Sequence, residues 1–357
     1  MDVLKPLNRL PKSVLEKGIL GFEMARSLTF LSQNLLLLAL NEKARAQKPE
    51  FGPQIRQILK DLTTLLKKDA ENIVKGVYPP EVLKTESFKD FFFRTPQILF
   101  DSFSVTKRRI EHQSKDFSSE AAEYLRDVPD YFQRNYHFQT GGYLTEKSAN
   151  LYEHQVEILF SGAADAMRRL ILPQLKAHFP YTEGDGLHFL EVAAGTGRLT
   201  RFVKLAFPKA KITVMDLSHP YLKKAQENLG EFRKIDFVQG DSAALPFRDE
   251  QFDAVFSCFL FHEIPLEERR KTVAEGLRVL KDGGFYGFVD SIQLEDRKDF
   301  EWALRQFPVD FHEPFYKNYI QNSMEGILKN AGLQDVKTDV GFFSKAVGGK
   351  KTTFGGQ

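Results

Sequence analysis

A short apolar run that ends on a carboxylate and turns through small residues into a helical segment constrains this chain more than any other stretch. It reads His188-Phe189-Leu190-Glu191-Val192-Ala193-Ala194-Gly195-Thr196-Gly197-Arg198-Leu199-Thr200, and it dictates the order strand, tight loop, helix. Gly195 and Gly197 lack a Cβ, so the backbone there can take left-handed φ values and approach a ligand closely. Thr196 is placed to cap the helix that follows. A dinucleotide-binding fingerprint would need Gly or Ala at the sixth place from Gly195, where the chain has Thr200, which weakens that reading. Taken alone, the loop is equally compatible with a plain strand-to-helix connection.

Beyond the loop, strand and helix alternate regularly. Residues 211–216 read as a second strand, and Ser218 caps a helix from His219 to Leu229. Asp216 closes that strand 25 residues past Glu191, where an acid can accept hydrogen bonds from both hydroxyls of a ribose. It can equally serve only to cap the helix behind it. A third strand from Ile235 leads to Gly240-Asp241-Ser242, and Phe252 to Cys258 form a fourth. Phe259, Leu260, Phe261 and His262 follow at its carboxyl end, the edge where open α/β sheets bind ligands. A helix over 266–280 stops at Lys281-Asp282-Gly283-Gly284, read as a glycine C-cap, and a fifth strand spans 285–290. Residues 291–319 form an irregular insertion with Trp302, Phe307, Phe311, His312, Phe315 and Tyr316. A helix over 320–331 and short strands near 335–340 and 342–347 complete the pattern.

This order resembles the class I S-adenosylmethionine-dependent methyltransferases, of the broad type that includes the ubiquinone/menaquinone methyltransferases. The landmarks are Glu191 with its Gly loop, Asp216, Gly240-Asp241, Phe252-Asp253-Ala254-Val255 and Gly283-Gly284. The resemblance covers about residues 181–347. It implies an α/β, Rossmann-like core of seven strands in the order 3-2-1-4-5-7-6, the seventh antiparallel, with helices on both faces. S-adenosyl-L-methionine is the implied cofactor. By the same resemblance its binding residues are Glu191, Ala193, Gly195, Thr196, Gly197, Asp216 with Leu217, and Asp241 with Ser242, Asp241 beside the adenine. Ala193 stands where the family usually has its first glycine. Tyr143 and Tyr152, in the segment that folds over the cofactor in similar enzymes, are candidates near its methionine end.

The first 135 residues show helical periodicity and few strand signals, so an all-α N-terminal domain is expected over 1–135. Ile55, Ile58, Leu59, Leu62, Leu65, Leu66 and Ile73 trace one face of a helix that follows Gly52-Pro53. Another helix is expected to start at Pro96, and a short one after the cap Ser118. An aromatic linker and a cap helix running from about 148 to 172 fill 136–180, and a Gly/Lys-rich flexible tail is expected over 348–357. The plainer expectation for the aromatic side chains of the linker is that they pack the two domains together.

Composition narrows the partners. A formal net charge of +2 on 357 residues provides no general field for polyanions, so nucleic acid is not expected. The lone Cys258 excludes an intrachain disulfide framework and suits a cytoplasmic location. His262-Glu263 and His312-Glu313 are isolated dipeptides, and no metal site is expected. The run Leu35 to Leu40 is far short of the roughly 20 residues that span a bilayer. Ten Lys or Arg against five Asp or Glu in the first sixty residues would suit peripheral membrane contact, or simply a solvated face. Oligomeric state is not legible.

His262, at the mouth of the fourth strand, is the best-placed general base, with a pKa tunable near neutrality. By the same family resemblance His137 and Gln139 are expected to face substrate, which makes His137 a second catalytic candidate; Glu263 and His312 are weaker choices. The alternative for each histidine is a structural role. The aromatic insertion and linker point to a small apolar or aromatic acceptor, quinone-like or lipid-like. Two other functions stay open: a non-catalytic cofactor-binding scaffold, and a protein or RNA methyltransferase whose helical domain recognises the macromolecule.

Overall fold

The structure, a computed structural model, describes residues 11–40, 51–84 and 88–352. Seven strands form one sheet: β1 (His188–Val192), β2 (Lys211–Asp216), β3 (Ile235–Gln239), β4 (Phe252–Cys258), β5 (Leu280–Ser291), β6 (Leu333–Gly341) and β7 (Ser344–Lys351). Their order is β3-β2-β1-β4-β5-β7-β6, and β7 runs antiparallel to both of its neighbours. This is the expected class I core. β1 is central, with Phe189 and Leu190 fully buried, which is why it reads as a continuous apolar run and not an alternating one. From β1 the chain winds outward through β2 to β3, and the next strand, β4, returns to the other side of β1. Connections therefore diverge above the carboxyl ends of β1 and β4, which opens a crevice there.

Ahead of the sheet come α1 (Lys12–Leu40), α2 (Phe51–Val74), α3 (Phe88–Glu111), α4 (Ser119–Tyr124), α5 (Glu146–Leu159), α6 (Ala164–Arg168) and α7 (Leu172–His178). Within and after it lie α8 (Arg198–Ala206), α9 (His219–Leu229), α10 (Leu266–Val279), α11 (Glu301–Asp310), α12 (Tyr316–Tyr319) and α13 (Met324–Asn330). Ser118 and Ser218 cap α4 and α9 as expected, each accepting a backbone N–H at 3.3 Å. On α2 the predicted face buries Leu62, Leu65, Leu66 and Ile73 but leaves Ile55 and Leu59 exposed. Among the described residues no helix is long and apolar enough to cross a membrane. The N-terminal helices share one apolar core with the sheet: Ile19 of α1 and Leu65 of α2 join the cluster that holds Phe189, Val289 and Ala346.

Several local expectations are corrected. Pro96 lies inside α3, not at its start; a proline in a first turn and one that forgoes an interior amide bond leave the same mark in the sequence. The expected helix over 148–172 breaks at Ser161-Gly162, both in left-handed conformation with φ of 51° and 79°. Beyond the break, the Glu157 carboxylate accepts the Ala164 and Asp165 N–H groups at the start of α6. Gly283-Gly284 lies within β5, which already begins at Leu280. The aromatic insertion carries α11 and α12. Gly348-Gly349-Lys350-Lys351 completes β7 and pairs with Phe285 to Gly287 on one side; the remainder of the expected tail, 353–357, lies outside the described residues.

Arg169 joins helices to core. Its Nε and Nη2 donate to Asp69 at 2.8 and 2.6 Å, Nη2 also reaches Glu23 at 3.2 Å, and the guanidinium lies over the Phe202 ring. Tyr78 donates its hydroxyl to Asp69 at 2.6 Å. Burial, reinforced by the Asp69 charge, pushes Glu23 up to about 9, so it keeps its proton at neutral pH and the cluster carries one cation against one anion. Asp69→Asn strands a buried guanidinium and is expected to cost about 3 to 5 kcal/mol. Glu23→Gln replaces a neutral group by a neutral one and is expected to cost under about 1 kcal/mol. Urea unfolding of the two variants at pH 7 checks the contrast.

Candidate active site

The β1–α8 loop builds the first half of the site. Glu191, buried at the end of β1, accepts the hydroxyl of Thr200 on α8. Burial pushes its carboxyl up to about 8, against the pull of that hydroxyl. Ala193, Gly195 and Gly197 all sit at positive φ, 54°, 58° and 80°. For Ala193, where the resemblance leads one to expect glycine, such a conformation costs about 1 to 2 kcal/mol. Gly197 is dictated by packing, since a Cβ there would meet Leu229 Cδ1 at 2.7 Å. Around Gly195, by contrast, no atom lies within 4 Å of where a Cβ would stand. Thr196 does not cap α8: Gly197 occupies the cap position without a side-chain bond, and the Thr196 hydroxyl donates to Glu153.

Asp216 fastens this loop to β2. Its Oδ2 accepts the Gly195 N–H at 2.7 Å and its Oδ1 the Ser218 N–H at 2.8 Å. Burial pushes its carboxyl up to about 6, opposed by these backbone donors. Above lies a cleft of about 870 Å³ of empty space, its open mouth included. Of the residues expected around the cofactor, Glu191, Ala193, Gly195, Thr196, Asp216, Leu217, Ser242, Tyr143 and Tyr152 line it. Gly197 and Asp241 do not: Gly197 faces a neighbouring depression, and Asp241 turns its Oδ1 to the Ala243 N–H at 2.8 Å. Sequence reasoning missed Glu153 and Arg168, which face each other across the cleft wall at 3.0 Å. The one available signal was a pair of arginines in the otherwise apolar stretch 166–172, since buried charges need partners.

A second cavity, of about 900 Å³ including its opening, adjoins the first and shares Tyr152, Phe259 and Glu263 with it. Its body is apolar, with Val156, Leu159, Leu304, Phe307 and Phe343 among its walls, and its polar groups include His137, His262 and Ser291. His262 Nδ1 meets Asp290 Oδ1 at 2.6 Å. Asp290 is itself fixed by the Phe261 and Ser291 N–H groups, each at 2.7 Å. Burial works against a charged ring, but the Asp290 carboxylate outweighs it and lifts His262 to about 9. With Nδ1 engaged, Nε2 is the ring's other polar atom, 3.8 Å from Glu263. His137 lies with Nδ1 3.1 Å from Glu313 and Nε2 3.5 Å from Glu263; burial again opposes its charge, and Glu313 reverses the sign, raising its pKa.

Other candidates fall away. Gln139 donates to the Gly142 carbonyl at 3.0 Å and lines neither cavity. His312 also lies outside both, against the Phe138 ring, its pKa lowered to about 4 by burial. Cys258 borders the cleft, but burial pushes its thiol well up, which removes the thiolate a nucleophile needs. Among the linker aromatics, Tyr136 and Tyr143 stack on each other at 5.4 Å, and Tyr143 donates to Glu263 Oε1 at 2.5 Å.

The donor set can be tested against an adenosyl amino acid. Asp216 presents a carboxylate for ribose hydroxyls, Gly195 leaves the backbone bare, and Arg168 with Glu153 offers opposite charges for a carboxylate and an ammonium group. The groups fit. Fold and site thus define an α/β protein whose cleft suits a nucleoside-bearing ligand, with an apolar chamber beside it. A family model described as a methyltransferase domain matches residues 189–284. Over 185 residues the chain is 29% identical to a malonyl-(acyl-carrier protein) O-methyltransferase of Geobacter sulfurreducens, covering 49% of this chain and 68% of that one. Over 170 residues it is 28% identical to a ubiquinone/menaquinone biosynthesis C-methyltransferase of Brucella canis, covering 45% of this chain and 61% of that one. The chain thus spans about two thirds or less of these relatives' length. Human N-acetylserotonin methyltransferase, solved in complex with S-adenosylmethionine, aligns with a TM-score of 0.49 at 16% identity, over 73% of this chain and 70% of that one. The chain thus carries a methyltransferase domain of the class I S-adenosylmethionine-dependent kind, and S-adenosylmethionine is its cofactor.

Asp216→Ala is expected to weaken S-adenosylmethionine binding at least tenfold by calorimetry. The ionised carboxylate is the form that accepts two hydroxyls, so affinity in the native protein should fall as pH drops through about 6 and stay level in the variant.

Proposed function

We propose that this protein methylates a small apolar or aromatic acceptor, quinone-like or lipid-like, at an oxygen whose proton passes to His262. The observation that carries the reading is the buried His262–Asp290 pair on the wall of an apolar chamber that shares three side chains with the cofactor cleft. A base is needed only where the acceptor must lose a proton, which favours a hydroxyl over an acceptor without one.

In this reading Asp216 holds the ribose, Gly195 lets the backbone lie against the ligand, and Arg168 and Glu153 fix the amino-acid end. S-adenosylmethionine supplies a methyl group on a cationic sulfur, which keeps the bonding pair and is left as a neutral thioether when the methyl departs. The chain's own work is alignment, worth about 7 to 11 kcal/mol at best. Phe259 and Tyr152 hold the partition between the ligands, and the apolar walls exclude water, which strengthens the local electrostatics. Asp290 orients the ring so that Nε2 of the neutral imidazole is the working atom, and stabilises the imidazolium; with the ring lifted to about 9 the neutral form is the minor one at pH 7, so turnover should rise as pH climbs toward about 9. Peripheral membrane contact belongs to the same reading, supported by Phe93, Phe100, Phe103 and Ile110 exposed along one side of α3. A cytoplasmic location rests on the lone cysteine.

The test is tritiated S-adenosylmethionine with an apolar small-molecule fraction and a phenolic probe, the products identified by mass. His262→Gln should slow turnover by about 100 to 10,000-fold, the usual worth of a positioned base, with cofactor affinity within twofold of native. Equal turnover in the variant would sink the assignment. Cofactor binding without any product would favour the scaffold alternative.

A further inference from the structure

We propose that His137, Glu263 and Glu313 bind one divalent transition-metal ion, of the Mn2+ or Zn2+ type, beside the partition between cleft and chamber. Each of the three offers one ligand atom, and these atoms all lie within 4.8 Å of one another. They come from three separate segments: the aromatic linker, the turn after β4 and the turn after α11. His137 reaches the two carboxylates through different nitrogens, Nδ1 standing 3.1 Å from Glu313 and Nε2 3.5 Å from Glu263, so only one of the two serves as its ligand atom. Ligands at about 2.1 Å from a tetrahedral ion are separated by about 3.4 Å, so with one atom taken from each residue a span of up to 4.8 Å must close by about 1.4 Å, a movement shared between the side chains.

A second observation points the same way. Glu313 is buried, with its side chain at 0% exposure, yet neither of its carboxylate oxygens has a hydrogen-bond partner, and neither does His137 Nδ1. The 3.1 Å approach between them is not aligned as a hydrogen bond. A buried carboxylate with no donor is costly, and a cation is one remedy. Two carboxylates and one neutral imidazole balance a divalent charge, and a mixed nitrogen and oxygen set suits Zn2+, Mn2+ or Fe2+ better than Ca2+ or Cu+. The Tyr143 hydroxyl, donating to Glu263 Oε1 at 2.5 Å, supplies the outer contact that orients a ligating carboxylate.

His137 and Glu263 face the chamber while Glu313 does not line it, so a vacant coordination position would open toward the acceptor. That last role, holding an acceptor oxygen, rests on the methyl-transfer reading; metal binding itself does not. The experiment is titration of chelator-treated full-length protein with Mn2+ alone, following the electron paramagnetic resonance of the free ion, then competition with Zn2+. One Mn2+ per chain, displaced by Zn2+ and bound at least tenfold more weakly by both Glu313→Gln and His137→Ala, is expected. Calorimetry should find S-adenosylmethionine affinity within twofold of native in both variants. Absence of stoichiometric Mn2+ and Zn2+ binding in the native protein, or unchanged affinity in both variants, overturns the proposal and leaves His137 and Glu313 as an internal ion pair. Loss of methyl transfer with metal binding intact would instead strike the functional reading alone.

Discussion

A carboxylate taken out of water must be met by donors, and the site is organised around how the Asp216 carboxylate is met. Two backbone amides, from Gly195 and Ser218, converge on it. One belongs to the loop leaving β1 and the other to the start of α9, so a single side chain sets the distance between two neighbouring crossovers. The crevice where the connections diverge therefore has a fixed floor before any ligand arrives. The left-handed residues of the loop follow from the same demand, because an ordinary turn would not bring the Gly195 amide to bear. Ala193 accepts backbone strain for this, which is the kind of cost functional sites carry.

The same principle, applied repeatedly, explains why the helices ahead of the sheet belong to its core. Arg168 and Arg169 are adjacent and point in different directions, one to Glu153 at the cleft and the other to Asp69 and Glu23. Asp165 then gathers Arg26, Arg168 and Arg198, and its carboxyl is held well below the usual range by those charges despite burial. Charge therefore runs from α1 through α6 to the first residue of α8. Displacing α1 would strip Arg26 from that cluster, so α1 is coupled to the geometry of the cofactor cleft without lining it.

How much of this could be read from the chain alone depended on how local the determinants were. β1 and β2 were legible because both faces of the sheet are covered there, and β3 and β4 because each is a short apolar-rich stretch bounded by turn signals. Ser118 and Ser218 were legible as caps because the bond spans three residues. Asp216 lines the cleft as expected, whereas Asp241 stands between the lining residues Gly240 and Ser242 with one carboxylate oxygen taken up by its own loop at Ala243. The break at Ser161-Gly162 was hidden by apolar periodicity on either side. His262 could be named from its position at a strand end, but its partner Asp290 comes from the end of the next strand, and Glu313 lies 176 residues beyond His137. No spacing rule reports pairs that only the folded sheet and insertion bring together.

The position of β7 has a consequence for how this molecule is made. It is the final strand in chain order among the described residues, yet it lies inside the sheet, hydrogen-bonded to β5 on one side and β6 on the other. Until Lys351 has emerged, β5 presents an unsatisfied row of amides and carbonyls, the kind of margin that recruits foreign strands. A nascent chain must therefore carry an incomplete sheet until β7 is made, and a chain cut just ahead of Ser344 would leave two sticky margins in place of one seam.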